Sequence, residues 1–78
     1  MKAEFVKDKN SSIWYSKWNI YLDGKYSGFI YKCRKTQKNW EIFCDSLGID
    51  AWSKERSHKI LNDAKAAVRK IAERINNG

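Results

Sequence analysis

Trp18-Asn19-Ile20-Tyr21-Leu22-Asp23-Gly24-Lys25-Tyr26-Ser27-Gly28-Phe29-Ile30-Tyr31 is the stretch from which the fold follows. Trp18, Ile20 and Leu22 alternate with Asn19 and Tyr21, the period of two expected of a strand with one buried face. Asp23-Gly24 interrupts the alternation, and this dipeptide is a strong hairpin signal because Gly tolerates positive φ. A second strand follows over residues 26–34. A polar turn at 35–38 leads to a third strand, Trp40-Glu41-Ile42-Phe43-Cys44.

If both turns are regular, Trp18 faces Phe29, Ile20 faces Ser27 and Ser16 faces Tyr31. Across the second turn, Cys33 faces Trp40, Tyr31 faces Ile42 and Phe29 faces Cys44. This register gathers Trp18, Ile20, Leu22, Phe29, Tyr31, Cys33, Trp40, Ile42 and Cys44 on the core face. The other face then carries Tyr15, Lys17, Asn19, Tyr21, Tyr26, Ile30, Lys32, Arg34, Glu41 and Phe43. A slip of one residue would send Lys32 and Arg34 inward, which disfavours it; a bulge beside Gly24 is the device that would produce such a slip.

Outward from the hairpin the pattern changes. Residues 1–11 are polar and lysine-rich, read as a frayed arm or a short edge strand. Residues 46–56 form a connector containing Leu47, Ile49 and Trp52. From 57 to 76 the apolar residues Ile60, Leu61, Ala64, Ala67, Val68, Ile71, Ala72 and Ile75 recur at helical spacing. Ser53 or Ser57 would cap this helix, and Asn76-Asn77-Gly78 would end it. The helix has one apolar stripe and the sheet one apolar face, so each covers the other. The expectation is a single α+β domain over residues 1–78, with a three-stranded antiparallel sheet (13–45) packed against one C-terminal amphipathic helix. The four tryptophans, Trp14, Trp18, Trp40 and Trp52, are read as core or core-rim residues, Trp14 being the one least suited to burial.

Composition limits function. A chain of 78 residues supports one small core, and it carries a net charge of +7, which attracts polyanions. The start, Met1-Lys2-Ala3-Glu4-Phe5-Val6-Lys7, has no apolar run of signal-peptide length, and no stretch is long enough to span a membrane. Cys33 and Cys44 are too few for a secreted disulfide scaffold, so both are expected reduced and buried in a cytoplasmic protein, bacterial or in a phage-infected cell. With one histidine, His58, and no CxxC, no metal or other cofactor is expected. Neither paired carboxylates nor a phosphate loop points to catalysis on a small-molecule substrate. The protein is therefore expected not to be an enzyme.

The outer sheet face alternates cations with aromatic and amide side chains. Lys17, Asn19, Lys32 and Arg34, extended by Lys35 and Lys38 at the turn, are the candidate nucleic-acid contacts, with Tyr15, Tyr21, Tyr26 and Phe43 as aromatic contacts. A solvated, well-paired sheet and a face for a protein partner are the competing readings, because exposed Tyr, Phe and Arg also suit interface cores.

The run Trp18-x-Ile20-x-Leu22-Asp23-Gly24-Lys25-x-x-Gly28-x-Ile30, then Trp40-x-Ile42, then Asp63-Ala64-Lys65-Ala66-Ala67-Val68, resembles the small β-β-β-α domains common in phages and prophages. Among these are the arm-type DNA-binding domains of tyrosine integrases and the related plant ethylene-response-factor-type domains. The resemblance implies a sheet face in the major groove of duplex DNA, with Lys17, Asn19, Lys32 and Arg34 reading bases. A phage-type inhibitor or adaptor that binds, through the same face, a host protein with an acidic surface, such as a defence complex, is the alternative.

Overall fold

The structure is a computed structural model that describes residues 1–50 and 52–76. It is α+β, with an open antiparallel sheet and one C-terminal helix. The sheet has five strands rather than three, in chain order: β1 (Ala3–Lys7), β2 (Tyr15–Leu22), β3 (Lys25–Cys33), β4 (Trp40–Phe43) and β5 (Ser57–His58). The N-terminal segment is therefore an edge strand, with Ala3 opposite Leu22 and Phe5 opposite Ile20. β5 takes two residues that the periodicity assigned to the helix and pairs Trp40 with His58 and Glu41 with Ser57. The helix α1 (Leu61–Asn76) starts four residues later than expected, past both candidate capping serines. Asn77 and Gly78 of the expected stop signal lie outside the described residues. No helix among the described residues is long and apolar enough to cross a membrane.

The Asp23-Gly24 turn forms as its sequence demands. Asp23 has φ 52° and Gly24 φ 82°, the positive pair of a two-residue hairpin whose twist matches its strands. Beside it, Leu22 pairs with Lys25 and Tyr21 with Tyr26, the register that the turn dictates. Ser27 is then left over as a β-bulge, and from Ile20↔Gly28 onward every pair is displaced by one residue. Trp18 faces Ile30 instead of Phe29, and Ser16 faces Lys32 instead of Tyr31. The β3–β4 pairing is displaced too, with Phe29 opposite Phe43, Ile30 opposite Ile42 and Tyr31 opposite Glu41.

Because side chains alternate, β3 alone has turned over while β2 and β4 keep their expected faces. Ile30, expected outside, is fully buried; Phe29, Tyr31 and Cys33, expected inside, are not. The physical reason lies in what one helix can cover. The largest fully buried side chains are Ile20, Ile30, Ile42, Ile49, Val68 and Cys44, all aliphatic or thiol. Ile30 fits this thin layer, and the bulge lets the rings of Phe29 and Tyr31 go to the open face.

The bulge is held in place from β4. The Cys44 thiol donates to the Ser27 carbonyl at 3.4 Å, and Gly28 lets the backbone of Phe43 and Cys44 close in. Below it, Leu22, Leu47, Ala64 and Ala72 complete the core, with Phe5, Trp18, Trp40 and Leu61 packed at its margin. Leu47 and Ile49 of the connector are buried there, through an isolated Cys44–Ile49 bridge. Trp52 is the correction among the tryptophans: it is 93% exposed. Helix cations lie over marginal rings of the inner face, with Lys65 Nζ 3.7 Å from the Trp18 ring centre and Arg69 5.0 Å from that of Phe5.

Candidate nucleic-acid interface

Among the described residues no second layer covers the outer face of the sheet, and its centre is aromatic. β2 presents Tyr15, Lys17, Asn19 and Tyr21; β3 presents Phe29 and Tyr31; β4 presents Glu41 and Phe43. The rings form a connected patch. Phe29 and Phe43 lie 5.4 Å apart, Tyr31 and Phe43 5.5 Å, Phe29 and Tyr31 5.8 Å, and Tyr15 and Tyr31 6.0 Å. A second pair, Tyr21 and Tyr26, meets edge to face at 5.9 Å beside the hairpin. Apart from Phe29–Tyr31, which lies within β3, these contacts cross between strands, and ring pairs of this kind stabilise a sheet.

Two cations lie over the patch. Lys17 Nζ is 4.6 Å from the Phe29 ring centre, and the Arg56 guanidinium is 4.8 Å from that of Phe43. Glu41 sits among the rings, engaged through one carboxylate oxygen. Its Oε2 accepts from Tyr31 Oη at 3.2 Å and Gln37 Nε2 at 2.8 Å, and pairs with Arg56 at 3.4 Å. Burial, and then the adjacent Glu41 carboxylate, push the Tyr31 phenol above its ordinary range, so it remains a neutral donor.

The expected contacts divide between several surfaces. Lys17, Tyr15, Tyr21, Tyr26 and Phe43 are on the outer face as anticipated. Asn19 is there too, but its amide donates to Asp8 Oδ2 at 3.0 Å. That bond, after the Asn10 backbone N–H, holds the Asp8 carboxyl below its usual range. Lys32 is the correction: inversion of β3 puts it on the helix side, its Nζ 5.9 Å from the Trp40 ring centre. Arg34 lies beyond the end of β3, exposed, with its backbone N–H on the Trp14 carbonyl. Lys35 is exposed in the same loop, 5.1 Å from the Trp14 ring centre, and Lys38 is exposed further along it. Sequence reasoning missed Phe29 and Tyr31, which it assigned to the core, and Arg56, which no periodicity connects to the sheet.

The same inversion separates the two cysteines, which are both free. Cys33, expected buried, is half-buried beside Tyr15. Hydrogen bonds from the Thr36 side chain and the Lys35 backbone draw its thiol below the ordinary value. Cys44 is 1% exposed, and burial pushes its thiol up. One thiol per native molecule should therefore react quickly with a bulky disulfide reagent, since the thiolate is the nucleophile. Cys33→Ser should abolish that fast phase. Fast modification of Cys44, or protection of both thiols, would contradict the observed register.

Among the described residues there is no enclosed pocket and no cluster of metal-ligating side chains. No family model matches the chain, and no curated protein or solved structure matches it either.

Proposed function

We propose that this protein is a small, non-enzymatic nucleic-acid-binding module of the bacterial or phage-infected cytoplasm, and that its outer sheet face is the contact surface. The observation that carries the proposal is the connected patch of Tyr15, Phe29, Tyr31 and Phe43 with Lys17 and Arg56 over its rings, in a chain of net charge +7. Cations supply phosphate attraction, and aromatic rings supply contact area for sugars and bases. Lys35 and Lys38 lie in the loop that joins β3 to β4, where flexible point charges suit phosphates.

A second reading, a protein partner with an acidic surface on the same face, is favoured by the make-up of the patch. Tyr, Phe and Arg are the residues that interface cores enrich, and Tyr31, Phe43 and Arg56 meet there. Duplex DNA is the partner that the resemblance to integrase-type domains implies; with Lys32 across the sheet, Arg34 remains its candidate for pairing with guanine.

Titration of random-sequence nucleic acid, both duplex and single-stranded, tests the proposal. Binding should weaken linearly in log salt between about 50 and 200 mM. Lys17→Glu should weaken binding to every sequence alike and reduce the salt slope by about one unit. A folded wild-type protein that binds no nucleic acid at low salt defeats the proposal, and capture of a protein from nuclease-treated lysate would then favour the second reading.

A further inference from the structure

Resting on that reading, we infer that the ligand of the outer face is a single strand, its unpaired bases stacked on Tyr15, Tyr31, Phe29 and Phe43. In a duplex the faces of the bases are hidden in the stack, and the grooves present only edges, which are read by hydrogen bonds. Most of the polar side chains on this face that such reading needs are committed to one another. The Asn19 amide is on Asp8. Gln37 and Tyr31 both donate to Glu41, and Arg56 pairs with it. Lys32 lies on the other side of the sheet, over Trp40.

What the face offers in quantity is half-buried ring surface. Four rings with neighbouring centres 5.4–6.0 Å apart span three adjacent strands, and no layer among the described residues covers them. Every base has a face that such rings can stack against, so recognition of this kind tolerates sequence and requires unpaired nucleotides. The charge is complementary. Lys17 lies over Phe29 and Arg56 over Phe43, so phosphate-attracting cations stand within the patch, and a base that stacks on either ring takes the place of the cation over it. Trp14, 53% exposed and immediately before Tyr15, carries Lys35 over its ring and repeats the pairing of ring and cation at the end of β2.

Fluorescence anisotropy of one labelled oligonucleotide, offered to the full chain as single strand and as duplex, tests this, with DNA and RNA versions as separate arms. The expected result is at least about tenfold tighter binding of the single strand in one or both arms. Tyr31→Leu and Tyr15→Leu, each verified as folded by its melting curve, should each weaken single-strand binding by about 5- to 150-fold, the range for loss of one stacked base. Tyr31→Phe keeps the ring and should retain affinity. Tyr15 is near the end of its strand, so its variant provides the test should Tyr31→Leu fail to fold. Equal or tighter binding of the duplex overturns the single-strand inference and leaves nucleic-acid binding standing. So does a single-strand preference that the folded leucine variants retain. No binding of either form at low salt overturns both.

Discussion

Val68→Asp is expected to unfold the domain. Val68 is fully buried in the middle of the helix, flanked by Ala64 and Ala72 at 0% and 1% exposure. The core against which it packs is aliphatic, and none of the described polar or charged residues is buried there. A carboxylate introduced at this position would have no cation or donor to receive it. An uncompensated buried charge costs about 3–5 kcal/mol, and the whole stability of a chain this long is about 4–12 kcal/mol. Circular dichroism and a thermal scan would read the outcome. A variant with the wild-type melting temperature would show that the helix does not cover this face.

The second large effect is expected at Gly28. A Cβ there would overlap the Phe43 carbonyl oxygen and lie 2.8 Å from Cys44 Cα. Both are backbone atoms of the neighbouring strand, so no rotamer change can clear them. Gly28→Ala should therefore cost about 3 kcal/mol, the upper end of ordinary overpacking. Gly24 provides the contrast. It has φ 82° but nothing within 4 Å of its would-be Cβ. Gly24→Ala should cost about 1–2 kcal/mol, through the left-handed conformation alone. Denaturant melts of the two variants would separate contact from conformation. An alanine at Gly28 tolerated better than one at Gly24 would mean that β3 and β4 do not approach as described.

Much of the fold was legible because its signals are local. Asp23-Gly24 specifies its turn by backbone sterics, and the alternation in Trp18-Asn19-Ile20-Tyr21-Leu22 specifies which face of β2 is buried. The register of β3 was not legible, and the cause is particular. One side of β3 offers Gly28, Ile30 and Lys32; the other offers Phe29, Tyr31 and Cys33. By apolar content the second set is the better core, so the regular hairpin without a bulge is the natural choice. What decides otherwise is not local. The thickness of the layer under one helix, the approach of Cys44 to Gly28 and the Cys44–Ser27 hydrogen bond all involve segments distant in sequence. The candidate site inherits the same split. Lys17 and the tyrosines of β2 were found from alternation. Phe29 and Tyr31 were hidden by the bulge, and Arg56 arrives from the segment before β5, which at two residues is too short to show any period.

The order of the strands has a consequence for how the chain assembles. Each strand pairs only with its neighbours in sequence, so most of the sheet is built from closures of short loops, whose entropic cost is small. The contacts that span the chain are of a different kind. The amino group of Met1 donates to the carbonyl of Ala72, 71 residues away. Helix docking thus closes the longest loops in the molecule, and it repays that entropy only once a sheet face exists to receive Val68. The pathway favoured by this topology is a meander that zips locally and a helix that locks it afterwards. Chain containing no proline passes through those steps without waiting on prolyl isomerisation.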